Sequence, residues 1–393
     1  MLSPAQEDII EATAPVVAEH LETITARFYP LMFARYLQVM PLFNPTHQQN
    51  GGQPRALAMA VLAYVQLRQS PQKARETLET VVNKHVSLDI QPAHYPIVGE
   101  CLMAAIGDVL GDAVTPEVAD AWSALYQELA DLLIELEAQR YSAFEQQVGG
   151  WRGPQRFRIA ETHQESRVIR SFILEPEDGG AVAAHAPGQY IGVKLEIDGE
   201  PVYRHYSLSD VPNGRAYRLS IKRETHGVAS RHFHDRLRVG DTLELLPPAG
   251  ELILAGDDEP LVLISGGVGQ TPLLPIAKQA LEQGRRVTYL HAALDAEHHA
   301  FADVIAKLRK TYPQQLNSIT VYEQDDSGDY QGRINQALLA DYVPSQARCY
   351  FVGPHGFMAA VNQGLERLGV PADKRHFEHF GPETALDAAL DAA

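Results

Sequence analysis

The chain has 393 residues, 45% apolar and 21% charged, with a formal net charge of −17. Such a length predicts two or three domains, and the composition excludes both disorder and collagen. The acidity argues against a nucleic-acid partner, since phosphate backbones are repelled wherever no basic patch intervenes. Cys101 and Cys349, far apart in sequence, cannot form a disulfide framework, which fits a reducing compartment. The start MLSPAQEDII lacks a basic region followed by an apolar core, and no 18-residue apolar run occurs. The expectation is a cytoplasmic protein with neither signal peptide nor membrane span.

In chain order, residues 1–147 carry a 3.6-residue apolar period, as in Ala121-Trp122-Leu125-Leu129-Leu132-Leu133-Leu136, and predict an all-α domain. Its punctuation includes Thr115-Pro116-Glu117, where Thr115 suits an N-cap and Pro116 the first helical position. At Gly149-Gly150-Trp151-Arg152-Gly153-Pro154 turn residues take over, and alternation follows in Arg156-Phe157-Arg158-Ile159. Strand-like runs at 168–175, 190–197, 217–222 and 242–246 predict an antiparallel β-barrel over 152–256. From 259 to 393 an apolar strand at 261–264, a Gly-rich turn, a helix near 273–283 and a strand at 287–292 make a βαβ unit. Strands near 318–322 and 349–352 alternate with helices near 301–310 and 356–368, which predicts a doubly wound parallel sheet. An Ala/Asp-rich tail follows Glu383.

In the helical part, Tyr29, Phe43, Gln53, Leu57, His85, Tyr95 and Glu135 are residue types able to face a planar iron cofactor between helices. Taken alone, a histidine in Asn83-Lys84-His85-Val86 is more often a surface or hydrogen-bonded structural residue than a ligand. The set and its spacing, with Phe28-Tyr29, Leu42-Phe43-Asn44, Gln53, Asn83-Lys84-His85, His94-Tyr95-Pro96-Ile97-Val98-Gly99-Glu100 and Asp120-Ala121-Trp122, resemble the globin domain of bacterial flavohaemoglobins. The resemblance implies haem b held through His85, with Tyr95 and Glu135 against that histidine. It also implies that Tyr29, Gln53 and Leu57 line the opposite, ligand-binding face and that Phe43 packs on the macrocycle. A carboxylate accepting the second ring N–H of an imidazole ligand pushes electron density toward the metal. Leu132-Leu133-Ile134-Glu135-Leu136-Glu137 contains two acids on different helical faces, and an exposed acid is the competing reading of Glu135. Tyr29 offers a phenolic donor to a partly negative ligand. Gln53 and Leu57 share a helical face, with Pro54 tolerable only at a helix start. Lys84 suits a propionate or solvent better than the metal.

In the barrel, Arg204-His205-Tyr206-Ser207 resembles the R-x-Y-S flavin motif of ferredoxin-reductase-like proteins. On a strand, Arg204 and Tyr206 share a face, so a guanidinium meets phosphate while the phenol meets the flavin. Pro187-Gly188-Gln189-Tyr190 matches the family's strand entry, and Gly227-Val228-Ala229-Ser230 opens a helix whose free N–H groups suit the FAD diphosphate. Ala229 stands where the family usually has valine directly before the serine.

Gly266-Gly267-Val268-Gly269-Gln270-Thr271-Pro272 lies between strand and helix, a context for a pyrophosphate. It resembles the G-G-V-G-x-T-P loop of ferredoxin reductases. After the second strand, Ala292-Ala293-Leu294-Asp295-Ala296-Glu297 has no arginine cluster for a 2′-phosphate, which favours NADH over NADPH. Tyr350-Phe351-Val352-Gly353-Pro354 and Glu378-His379-Phe380-Gly381-Pro382 resemble the nicotinamide-side and terminal flavin-side segments, with Phe380 over the isoalloxazine. Val352 stands where many reductases have cysteine and His379 where some flavohaemoglobins have one, and hydride transfer needs neither thiol.

Together the resemblances imply a monomeric oxidoreductase that passes electrons from NAD(P)H through FAD to haem, with nitric oxide and O₂ as small-molecule partners and nitrate as product. This is nitric oxide dioxygenation, a defence against nitrosative stress. Two other readings stay open: an oxygen-binding or redox-sensing haem protein with a built-in reductase, and a flavin reductase for an outside acceptor.

Overall fold

The computed structural model describes residues 2–43 and 52–379, without the side chains of 52–56, 58 and 59. Ser3 and Gln6 form a capping box that starts α1 (Pro4–Glu19). It is followed by α2 (Leu21–Arg35), α3 (Gly52–Leu67), α4 (Pro71–Val86), α5 (Tyr95–Leu110) and the 30-residue α6 (Pro116–Glu145). Thr115 caps α6 through the backbone N–H of Val118, with Pro116 at the first helical position as expected. The helices close on a core of Ile10, Ile24, Phe28, Met32, Leu102, Trp122 and Leu125, each such fully buried side chain stabilising the fold by about 2 kcal/mol. The Trp122 Nε1 donates to Thr13 Oγ1 at 2.9 Å, so its indole N–H is not stranded in that core.

The second half starts with β1 (Gln155–Gln164), β2 (Ile169–Pro176), β3 (Tyr190–Ile197), β4 (Glu200–Ser207), β5 (Tyr217–Lys222), α7 (Val228–Asp235) and β6 (Thr242–Ala249). These strands form an antiparallel sheet ordered β4-β3-β6-β1-β2-β5, and one bridge, Leu208 to Leu219, draws its two edges together. Such closure protects strand edges that would otherwise expose unpaired backbone.

There follow β7 (Leu261–Gly266), α8 (Gln270–Glu282), β8 (Val287–Ala293), α9 (Ala302–Thr311), β9 (Leu316–Tyr322) and β10 (Tyr330–Gln331). The described chain closes with α10 (Gln336–Tyr342), β11 (Arg348–Val352), α11 (His355–Arg367) and β12 (Arg375–Phe377). Their sheet is ordered β10-β9-β8-β7-β11-β12 and is parallel wherever its strands pair. Residues of β7 are buried throughout, as a strand covered by helices on both faces requires. The fold class is therefore the expected one: an all-α part, an antiparallel barrel and a doubly wound α/β sheet.

By contacts the described residues fall into two compact units, one of residues up to Gln146 with Asp198–Tyr203, the other of Gln147–Ile197 and the described residues from Arg204 onward. Both sheets thus belong almost wholly to one unit. No described helix is long and apolar enough to cross a membrane.

Candidate active site

His85 lies in the last turn of α4, and Tyr95 opens α5 after a short helical turn at Pro92–His94. Tyr126 of α6 donates from its hydroxyl to the Tyr95 carbonyl at 2.8 Å. Gly99 is needed beside it, because a Cβ there would stand 2.6 Å from the Tyr126 ring. So held, the Nδ1 of His85 approaches Glu137 Oε1 at 2.7 Å and Tyr95 Oη at 3.1 Å, while Tyr95 donates to the same Glu137 oxygen at 2.5 Å. Glu137 is 3% exposed. Burial, reinforced by the Glu137 carboxylate, raises the Tyr95 pKa well above the usual phenol range, so this hydroxyl stays a donor.

The carboxylate expected against the histidine was Glu135, and the structure corrects this. Glu135 lies on the outer face of α6, where Oε1 accepts from Arg75 and Gln139 at 3.0 and 2.9 Å. Two residues along a helix is about 200° of rotation, so only one of the two acids reaches the inside. The signal was available, since Leu129, Leu133, Glu137 and Tyr141 form a buried stripe at four-residue spacing.

With its Nδ1 engaged by a buried carboxylate, His85 keeps Nε2, and no described residue hydrogen-bonds that nitrogen. That donor chemistry fits a haem iron, because an imidazole ligand anchored through its second nitrogen is the usual arrangement. Tyr29, 7% exposed, lies edge-on to Phe43 at 5.7 Å, and Phe43 lies edge-on to Phe33 at 5.3 Å. Burial raises the Tyr29 pKa, which keeps its phenol protonated. Leu57 is half-buried against the same core, and Lys84 is half-buried. The α3 backbone begins at Gly52, which puts Pro54 in its first turn, where its missing N–H costs nothing. The Gln53 side chain lies outside the described residues.

In the barrel, Arg204, His205, Tyr206 and Ser207 end β4. Burial lowers the Arg204 pKa, as expected of a guanidinium withdrawn from water. Tyr206 lies edge-on to Phe233 of α7 at 5.4 Å, and His205 edge-on to Tyr190 of β3 at 5.1 Å. Ser207 is buried, and among the described residues its hydroxyl has no partner. A buried orphan hydroxyl beside two rings and a desolvated guanidinium fits a flavin, which offers it hydrogen-bonding atoms. The hydroxyl of Ser230 turns back to the Gly227 carbonyl at 3.4 Å and accepts from the Glu224 N–H at 3.2 Å, so the backbone of the first turn of α7 is what remains for a phosphate.

The Gly-rich loop is a short helical turn, Gly267–Gly269, leading into α8. Only part of it faces outward. Gln270 is 1% exposed and donates to the Ala300 carbonyl at 2.5 Å, Thr271 is 2% exposed and donates to the Val268 carbonyl at 2.9 Å, and Pro272 is buried. These side chains brace the loop, leaving its backbone, with half-buried Val268, to meet a ligand. Glu378 brings Oε1 to 3.4 Å from where a Cβ on Gly250 would stand, beside Tyr190. His379 stacks on His355 at 5.6 Å. Phe380, Gly381 and Pro382 lie outside the described residues.

Comparison with known proteins agrees with this layout. The globin family matches residues 26–133, the oxidoreductase FAD-binding domain 156–253 and the oxidoreductase NAD-binding domain 263–363. A flavohemoprotein of Pseudomonas aeruginosa is 48% identical, covering 99% of this chain and 100% of its own. The crystal structure of a Malassezia yamatoensis flavohemoglobin with bound FAD and heme superposes with a TM-score of 0.86 at 30% identity, over 97% of this chain and 100% of that one. The FAD/NAD-binding domain of a nitric oxide dioxygenase from Vibrio cholerae covers 59% of this chain and 100% of its own, at 38% identity and a TM-score of 0.55.

Proposed function

The chain belongs to the flavohemoprotein family, and from that premise we propose that it is an NAD(P)H-dependent nitric oxide dioxygenase. A haem b supplies the one-electron iron chemistry that joins nitric oxide to O₂ as nitrate, and FAD converts the two-electron hydride of NAD(P)H into single electrons. His85 would hold the iron through Nε2. Glu137 accepts a hydrogen bond from the Nδ1–H of His85 and so makes the ligand more electron-rich, while Tyr95, donating to the same oxygen, orients that carboxylate. Tyr29 would offer a protonated phenol to a small ligand, with Phe43 and Leu57 excluding water and Lys84 available to a propionate. In the reductase half, Tyr190, Arg204, His205, Tyr206, Ser207 and the Ser230 turn hold FAD. The backbone of 267–270 would take the dinucleotide pyrophosphate, with Glu378 and His379 on the flavin side. Asp295, held ionised by its hydrogen bond to His298, stands beyond β8 where a 2′-phosphate would be repelled, which supports NADH as the preferred donor.

The observation that carries the reading is the buried Glu137–His85 hydrogen bond. An electron-rich proximal ligand suits chemistry on O₂ better than reversible storage. With NADH and O₂ present, added nitric oxide is expected to disappear with nitrate formed, faster with NADH than with NADPH. His85→Ala is expected to abolish this while FAD is still reduced by NADH. Nitric oxide decay no faster than in protein-free buffer would refute the proposal.

A further inference from the structure

Strands β7 and β11 pair from Leu261↔Arg348 to Ser265↔Val352, and β8 pairs with the other edge of β7. The strand order reverses between β7 and β11, and the crevice outside their carboxyl ends is where an open α/β sheet takes a dinucleotide. Gly266 ends β7 there, and Gly353 directly follows β11. Neither has a positive φ, so conformational freedom is not what requires glycine. The Phe357 ring, from the first turn of α11, supplies the reason. A Cβ on Gly353 would stand 2.5 Å from Phe357 Cδ1, and one on Gly266 would stand 3.2 Å from both Cγ and Cδ1 and 3.3 Å from Cδ2. The ring is bedded on the two bare strand ends, yet it is only half-buried.

An aromatic face set at the switch point, with glycines cleared to seat it, is a platform for a planar ligand. We propose that Phe357 positions the nicotinamide half of the dinucleotide by stacking, an inference that rests on the nicotinamide-dependent reading above. The choice of half follows from chain direction. A pyrophosphate at the start of α8 sends the adenosine toward the end of β8 and leaves the β11 side for the nicotinamide. Glu378, just beyond β12, lies on that side and comes close to Gly250 of the flavin barrel, against which the Tyr190 ring also packs.

The test uses the full-length, FAD-loaded, oxidised protein without turnover. Binding of NAD⁺ and of ADP-ribose, which lacks the nicotinamide, is titrated separately. Phe357→Ala is expected to weaken NAD⁺ about fivefold, the scale of one aromatic stack, while leaving ADP-ribose unchanged. Phe357→Tyr restores NAD⁺ affinity, and Phe357→Leu, which keeps bulk without a ring, does not. FAD content and thermal midpoint establish that each variant is folded. Equal weakening of both ligands, or of neither, would overturn the role of Phe357. Wild-type protein that binds neither ligand would instead overturn the nicotinamide reading beneath it.

Discussion

Glu137 serves His85 and Tyr95 through one oxygen, whereas Glu135 faces Arg75 at the surface. Replacing each by its amide separates the two. Glu137→Gln keeps the shape but removes the negative charge behind the histidine, and nitric oxide turnover is expected to fall about 10- to 100-fold, as for other partners of metal-bound histidines. The iron–histidine stretching frequency should fall with it. Glu135→Gln should alter neither, because an exposed ion pair contributes well under about 1 kcal/mol. Equal losses in both variants would show that the hydrogen bond to His85 is not what matters. His85, Tyr95 and Tyr29 were legible in the sequence because their order and spacing are distinctive. The acid was not, because the resemblance alone cannot choose between two glutamates separated by one leucine. The four-residue spacing from Leu129 to Tyr141 carries the choice, a periodic signal in the sequence that lies outside the motif.

At the scale of elements, the Gly-rich loop shows why one motif holds glycines for different reasons. A Cβ on Gly269 would meet the Val352 carbonyl oxygen at 2.1 Å, so this glycine lets α8 approach β11. Gly267 has open space around it but φ of +54°. Gly269→Ala is expected to lower stability by about 3 kcal/mol or more through overpacking. Gly267→Ala should cost only about 1 to 2 kcal/mol for the left-handed backbone. Thermal midpoints in the presence of FAD check the order, and the reverse order would refute it. Beneath this loop His291 of β8 lies 4.3 Å from His299, ring centre to ring centre, both buried. Burial pushes His299 down to about 4. In the unfolded chain it titrates near 6.5, so below that pH the unfolded state takes up a proton that the folded state refuses, and stability falls as pH drops from about 6.5 to about 4. The loss amounts to about 3 kcal/mol for this one group. Urea midpoints of the wild type should decline across that window, and His299→Gln should flatten the decline; an unchanged slope would sink the assignment. Long elements were readable, with the strands at 190–197 and 217–222 found at those bounds. The two-residue β10, the seven-residue α10 and the three-residue β12 were not read, because each is too short to show a period.

At the scale of the molecule, the sequence predicts three domains and the contacts form two units. The barrel and the parallel sheet are joined by charge as well as by chain. Burial alone would raise the Asp210 pKa, but Arg218 of β5 and Lys278 of α8, at 3.4 and 2.6 Å, hold its carboxyl below the usual range. The Arg218 guanidinium also lies 5.1 Å over the Phe301 ring, and Arg167 meets Glu297 at 3.2 Å. Such ties cannot be foreseen from motifs, because each partner is an ordinary charged residue until the fold brings it across. They predict that the reductase half behaves as one body when separated from the helices. Between Glu145 and Gln155 the chain leaves regular structure, and Val148 is 83% exposed, which makes this stretch a site for limited proteolysis. Cleavage there should release a yellow fragment that still reduces ferricyanide with NADH at the rate of the intact protein. The helical fragment keeps the haem absorption, and NADH-driven nitric oxide consumption is lost because electrons no longer pass within one chain. A reductase fragment that sheds FAD or unfolds on cleavage would show that its two sheets depend on the helical unit for their stability.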